Sequence, residues 1–151
     1  PRTRLDASSY GSMGLGHGFA IAAAVQSGKR VICLQGDAAF GFAGTECEVA
    51  VRHNLPITWI VFNNGGIGGN DPENYAGAES GYLPAGAMSF AARYDIMMEG
   101  LGGKGFNANN SEELDACIDE ALKLDGPSLI NVPLAPDAKK KPQKFAWLTR
   151  T

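Results

Sequence analysis

Three short apolar runs constrain the fold of this chain more than any other feature. They are Arg30–Gln35, Ile57–Phe62 and Ser128–Val132. Each is too short for a stable buried helix and is rich in β-branched or aromatic residues, so each predicts a buried strand. The run Gly105–Ala108 predicts a fourth, briefer strand. Helical segments are expected between them, over Gly14–Ser27, Glu46–His53, Ser89–Leu101 and from Ser111 to about Leu124. Val49 and Val51 are expected near the buried side of the second helix. Pro56, Gly102-Gly103 and Gly126-Pro127 punctuate these helices, and Asn110 or Ser111 caps the last. Strands alternating with helices predict an α/β fold, a parallel sheet flanked by helices on both faces.

Such a sheet places its ligands beyond the carboxyl ends of its strands. Two loops begin there. Gly36–Gly44 is a small-residue loop with room for one short helical turn, and it carries Asp37 between Gly36, Ala38 and Ala39. The second begins Asn63-Asn64-Gly65-Gly66. An Asp carboxylate, an Asn amide oxygen and a backbone carbonyl are hard oxygen ligands, suited to Mg²⁺. Small residues beside Asp37 let backbone N–H groups approach a diphosphate closely. Taken singly, Asp37 is equally a helix cap and Asn63-Asn64 a turn former. Taken together, two such loops after buried strands, with Asp37 and Asn64 27 positions apart, point to one site.

Gly36-Asp37-Ala38 followed by Asn63-Asn64 resembles the motif of thiamine-diphosphate (ThDP) enzymes, Gly-Asp-Gly followed by Asn-Asn. Ala38 stands where the motif has its second Gly. The resemblance implies Asp37, Asn64 and the Gly66 carbonyl as ligands of Mg²⁺. It implies Gly36, Ala38, Ala39 and Ile67 as contacts of the diphosphate, with backbone donors on the last three. Gly11-Ser12-Met13-Gly14 looks like the family's Gly-x-Met-Gly turn. There the Gly11 carbonyl would accept from the cofactor's 4′-amino group, and Met13 would prop the cofactor in its bent shape. The alternative for Met13 is ordinary core packing.

Gly36–Glu46 and Arg52–Ile57 resemble the acyl-CoA branch of that family, the 2-hydroxyacyl-CoA lyases and oxalyl-CoA decarboxylases. The end, Phe145–Arg150, is similar to the lyases. The expected activity is cleavage of a 2-hydroxyacyl-CoA to formyl-CoA and an aldehyde or ketone. The alternatives are oxalyl-CoA decarboxylation and a non-catalytic nucleotide-binding module. Many relatives place Tyr after this Gly-Ile, where Gly68 stands here; Gly68, Trp147 and Arg150 are the candidate substrate contacts. The resemblance also implies that the Glu that activates ThDP lies in a separate pyrimidine-binding domain or subunit. No catalytic side chain is therefore assigned here, and the chain alone is expected to be inactive. A homo- or hetero-oligomer is expected.

Other features bound the reading. Gly14-Leu15-Gly16-His17-Gly18 lacks the spacing of a dinucleotide loop. His17 and His53 are expected to be structural or surface residues. A net charge of −3 argues against a nucleic-acid partner. No run of ~20 apolar residues predicts a membrane span. The start, Pro1–Asp6, lacks the apolar stretch of a signal peptide and an initiator Met. Cys33, Cys47 and Cys117 read as reduced core or near-core thiols of a cytoplasmic protein. Residues 1–136 are taken as the diphosphate-binding domain and 137–151 as a tail. Lys139, Lys140, Lys141, Lys144 and Arg150 make that tail basic, either as a solvated end or as an active-site lid.

Overall fold

A computed structural model describes residues 3–67, 85–89 and 92–135. The elements are α1 (Leu15–Ser27), β1 (Val31–Gly36), α2 (Asp37–Gly41), α3 (Cys47–Arg52), β2 (Ile57–Asn63), α4 (Tyr94–Leu101), β3 (Lys104–Asn107), α5 (Ser111–Ala121) and β4 (Ser128–Pro133). The described residues also hold two 3₁₀ turns, Ser8–Tyr10 and Gly44–Glu46. The four strands form one parallel sheet in the order β1-β2-β4-β3, as the alternation of strands and helices predicts.

Side-chain alternation along β2 builds the two halves of the core. Ile57, Trp59 and Val61 point to one face, where Ala20 and Ala24 of α1, Cys47 and Ala50 of α3, and Met98 of α4 meet them. Ile60 points to the other, with Ile130 and Val132 of β4, and Ala121 and Leu114 of α5. The layers are unequal. Among the described residues, only α5 packs on the second face, and it lies over β4 and β3. β1 is consequently less buried than its composition predicts, with Ile32 50% and Leu34 63% exposed.

Several boundaries differ from expectation for local reasons. The one short helical turn expected within 36–44 is α2, which takes up most of the segment, and Gly44 opens a 3₁₀ turn. In α3 the buried residues are Cys47 and Ala50, with Val49 and Val51 half-buried. α4 starts at Tyr94, because Arg93 is held out of helical geometry at φ −102°, ψ 83°. The Arg93 guanidinium donates to both oxygens of Asp95, at 2.8 and 2.5 Å. α5 ends at Ala121, and tighter bonds from Lys123 to Glu120 and from Leu124 to Ala121 close its last turn. Arg30 then donates to the Leu124 carbonyl. At the other end of α5, the Asn110 side chain accepts from the Glu113 N–H at 2.8 Å, the cap expected of it.

The cysteines are free, and Cys33 and Cys47 are buried. Burial pushes the Cys33 thiol up to about 11 and the Cys47 thiol up to about 12. Thiolates, not thiols, react with alkylating reagents. In the folded protein at neutral pH, half-buried Cys117 should therefore be alkylated well before the other two. Peptide mass spectrometry over a labelling time course checks the order, and equal rates at all three would contradict it.

Candidate functional site

The site begins in the sheet register. Gly36 of β1 pairs with Phe62 of β2, so the chain leaves both strands side by side. Asp37 is the first residue of α2 and is 1% exposed. It is not the helix cap, because Gly36 occupies that position in an extended conformation. Its Oδ1 accepts from the Ala38 N–H at 2.9 Å. The N–H groups of Gly66 and Gly65, on the second loop, also bond to its carboxylate. The two loops therefore meet at Asp37.

Burial nevertheless raises the Asp37 carboxyl above the usual carboxylate range, outweighing four backbone donors, the N–H groups of Ala38, Gly66, Gly65 and Asp37 itself. A buried ionised carboxylate is costly without a compensating charge. A cation at this point would supply that charge. The neighbouring backbone is shaped for close approach. Gly65 and Gly66 adopt φ of 81° and 133°, which side-chain-bearing residues rarely accept. Gly66 forms an isolated antiparallel bridge with Ala87. That bridge uses the Gly65 and Gly86 carbonyls and the Met88 and Ile67 amides, not the carbonyl of Gly66. Asn64 lies half-buried in the bend between β2 and Gly65. One buried carboxylate with neutral oxygen donors nearby fits a hard divalent cation that takes its remaining ligands from phosphate and water.

The two asparagines divide their labour. Asn63 is 4% exposed, and its amide donates to the Ala92 carbonyl at 2.8 Å and to Asn131 Oδ1 at 3.3 Å. Asn131 donates in turn to Asn107 Oδ1 at 2.8 Å. This ladder ties the carboxyl ends of β2, β4 and β3 together beneath the second loop. Sequence reading missed it, although a polar residue inside the apolar run Ser128–Val132 was the signal. Tyr94 was also missed. Its ring meets Phe40 edge-on at 5.2 Å, and its phenol is raised first by burial and then by the charge of Asp37.

The other expected contacts fall as follows. Ala38 is buried and Ala39 half-buried in the first turn of α2. The Ile67 N–H, expected to donate to a diphosphate, instead donates to the Gly86 carbonyl at 2.9 Å, because the bridge beside it claims that donor. Gly11 is exposed, with φ 57°, at the end of the first 3₁₀ turn. Met13 is 39% exposed, so it is not a core residue. Gly14, at φ 86°, lets this segment turn into α1 against Phe42. His17 is buried and hydrogen-bonded inside the domain, and His53 is exposed at the end of α3, as expected. Gly68, Trp147, Arg150 and the tail 137–151 lie outside the described residues.

Residues 1–132 match the family described as thiamine pyrophosphate enzyme, C-terminal TPP binding domain, and the chain belongs to that family. It is 41% identical over 163 aligned residues to 2-hydroxyacyl-CoA lyase 1 of Homo sapiens, covering 100% of this chain and 28% of that protein. It is equally 41% identical, over 138 residues, to oxalyl-CoA decarboxylase of Escherichia coli K12, covering 91% of this chain and 24% of that protein. Among solved structures it is similar to a Rhodococcus jostii RHA1 thiamine diphosphate-dependent 4-hydroxybenzoylformate decarboxylase, with a TM-score of 0.70 and 25% identity over 86% of this chain and 24% of that one. The chain thus spans about a quarter of the length of these relatives. Among the described residues no helix is long and apolar enough to cross a membrane.

Proposed function

We propose that this chain is the diphosphate-holding half of a ThDP active site in a 2-hydroxyacyl-CoA lyase. The reaction cleaves a 2-hydroxyacyl-CoA to formyl-CoA and an aldehyde or ketone. The observation that carries the reading is buried Asp37 at the end of β1, bonded to Gly65 and Gly66 at the end of β2. The Asp37 carboxylate, the Asn64 amide oxygen and the Gly66 carbonyl would hold Mg²⁺. The amide of Ala39 in the first turn of α2 would face the diphosphate, which approaches closely past Gly36, and the Ala38 amide would join it only by giving up Asp37 Oδ1. Ile67 would join them only by giving up Gly86. The Gly11 carbonyl would accept from the cofactor's 4′-amino group, and half-exposed Met13 would support its bend.

Bound ThDP supplies the nucleophilic carbon and the electron sink for carbon–carbon cleavage. The chain's residues contribute orientation and fixed charge. A partner surface is part of the reading. Tyr10 is 94%, Phe42 68% and Ile67 57% exposed, and Met13 and Leu15 are half-exposed. Large apolar groups left exposed on the segments that carry the proposed contacts suit an interaction surface. The proposed occupant is a pyrimidine-binding domain or subunit, which would also deliver the activating Glu.

The equal identity to oxalyl-CoA decarboxylase gives the second reading. Incubating the full-length enzyme with 2-hydroxyacyl-CoA and, separately, with oxalyl-CoA discriminates them. A carbonyl compound released stoichiometrically with formyl-CoA is expected. CO₂ from oxalyl-CoA, with no cleavage of the 2-hydroxyacyl-CoA, would overturn the lyase reading.

A further inference from the structure

His17 is wholly buried although it belongs to none of the proposed cofactor contacts. It sits in the first turn of α1 with its ring 5.0 Å from Phe40 and 5.9 Å from Trp59. Its Nε2 lies 3.2 Å from the Phe40 carbonyl and 3.0 Å from the Gln35 side-chain amide. A carbonyl only accepts, so Nε2 carries the proton and donates to Phe40. The Gln35 atom placed 3.0 Å from Nε2 is its amide nitrogen, so Gln35 accepts from the same N–H with its amide turned over, Oε1 towards the ring. Burial lowers the imidazole's pKa, against smaller raising pulls from the bond to the Phe40 carbonyl and from the charge of Glu46.

The positions of those two partners give the contact its meaning. Gln35 lies two residues before Asp37 and Phe40 three residues after it. One ring nitrogen thus grips the strand that leads into Asp37 and the helix that leads out. α2 has only five residues, fewer than a helix needs to hold itself. Its far end is fixed by the Phe40 carbonyl, which accepts from Ala43 N–H at 3.2 Å and from His17.

We infer that His17 is a positioning residue, whose buried Nε2–H pins α2 to β1 and so aims Asp37 and the first-turn amides at the metal-bound diphosphate. The inference rests on the proposed ThDP site. Its test is calorimetric ThDP binding to the full-length enzyme at fixed Mg²⁺, with the KM of the acyl-CoA measured at saturating ThDP. His17→Leu keeps the volume and removes the donor. Its ThDP Kd should rise about tenfold while the substrate KM moves less than twofold, because a buried carbonyl loses its partner beside the cofactor, not beside the substrate. His17→Gln restores an N–H and should bring the Kd back to within about threefold of the parent. Unchanged ThDP affinity in His17→Leu overturns the pin, as does failure of Gln to rescue it. If His17→Leu does not fold, His17→Met replaces it. Failure of both apolar variants to fold, with Gln folded, marks a folding role and overturns positioning. Asp37→Ala run in parallel separates the two levels. If it retains ThDP affinity, the proposed site itself fails. If it loses affinity while His17→Leu keeps it, only the pin fails.

Discussion

Asp37→Ala should cost the full-length enzyme its Mg²⁺-dependent ThDP binding, with the dissociation constant rising on the order of a hundredfold or more. Removing one member of a buried, hydrogen-bonded charge pair typically costs roughly 2–5 kcal/mol, and about 1.4 kcal/mol is a factor of ten. Asp37 is 1% exposed, so water would not easily replace it as a ligand. Asn64→Ala, at a half-buried position contributing a neutral oxygen, should weaken binding by a smaller factor. A pH series adds a second check. Burial raises the Asp37 carboxyl, and the metal needs it ionised. Affinity should therefore fall as pH is lowered, and start to fall at a higher pH than an ordinary aspartate ligand would require. The sign is fixed: protons compete with the metal, so lower pH means weaker binding. Unchanged affinity in Asp37→Ala at fixed Mg²⁺ would remove the metal assignment.

The purified 151-residue chain should release no carbonyl product from any 2-hydroxyacyl-CoA. It spans 28% of the human lyase it resembles, and its family comprises the TPP-binding C-terminal domains. The expected activating Glu belongs to another domain by that resemblance. The exposed Tyr10, Phe42 and Ile67 would have nothing to cover them. Adding a polypeptide that carries the pyrimidine-binding domain should restore turnover. Measurable product from the chain alone, followed by coupled assay over hours with a buffer control, would refute the division of the site between domains.

The strands were legible because burial on a parallel sheet demands apolar, β-branched runs. Ile57–Phe62 and Ser128–Val132 could hardly be anything else. The meeting of Asp37 with the second loop was also legible, since both loops follow strands and parallel neighbours share their carboxyl ends. One short helical turn was expected within 36–44, but the bounds of α2 were not legible, because Asp-Ala-Ala-Phe-Gly is too short to display a 3.6-residue period. Arg93 broke the expected start of α4 through a bidentate bond to Asp95, which no periodicity foretells. Ile67 reads as a cofactor donor in sequence, yet its amide is claimed by Gly86, 19 residues away. The asparagine ladder from Asn63 through Asn131 to Asn107 depends on the strand order β2-β4-β3, which pairs strands distant in sequence. His17 reads as a structural histidine, but its grip on both sides of Asp37 emerges only when α1 packs over β1 and α2.

The most direct test of the central claim is a calorimetric titration of the full-length enzyme with ThDP and, separately, with ADP, each with Mg²⁺ and with excess EDTA. Both ligands carry a diphosphate, so only a site built for thiamine separates them. Expected is saturable ThDP binding that disappears in EDTA, and ADP binding at least a hundredfold weaker, about 2.7 kcal/mol. Equal affinity for ADP, or ThDP binding indifferent to EDTA, would contradict the assignment of this domain to a Mg²⁺-bridged ThDP site.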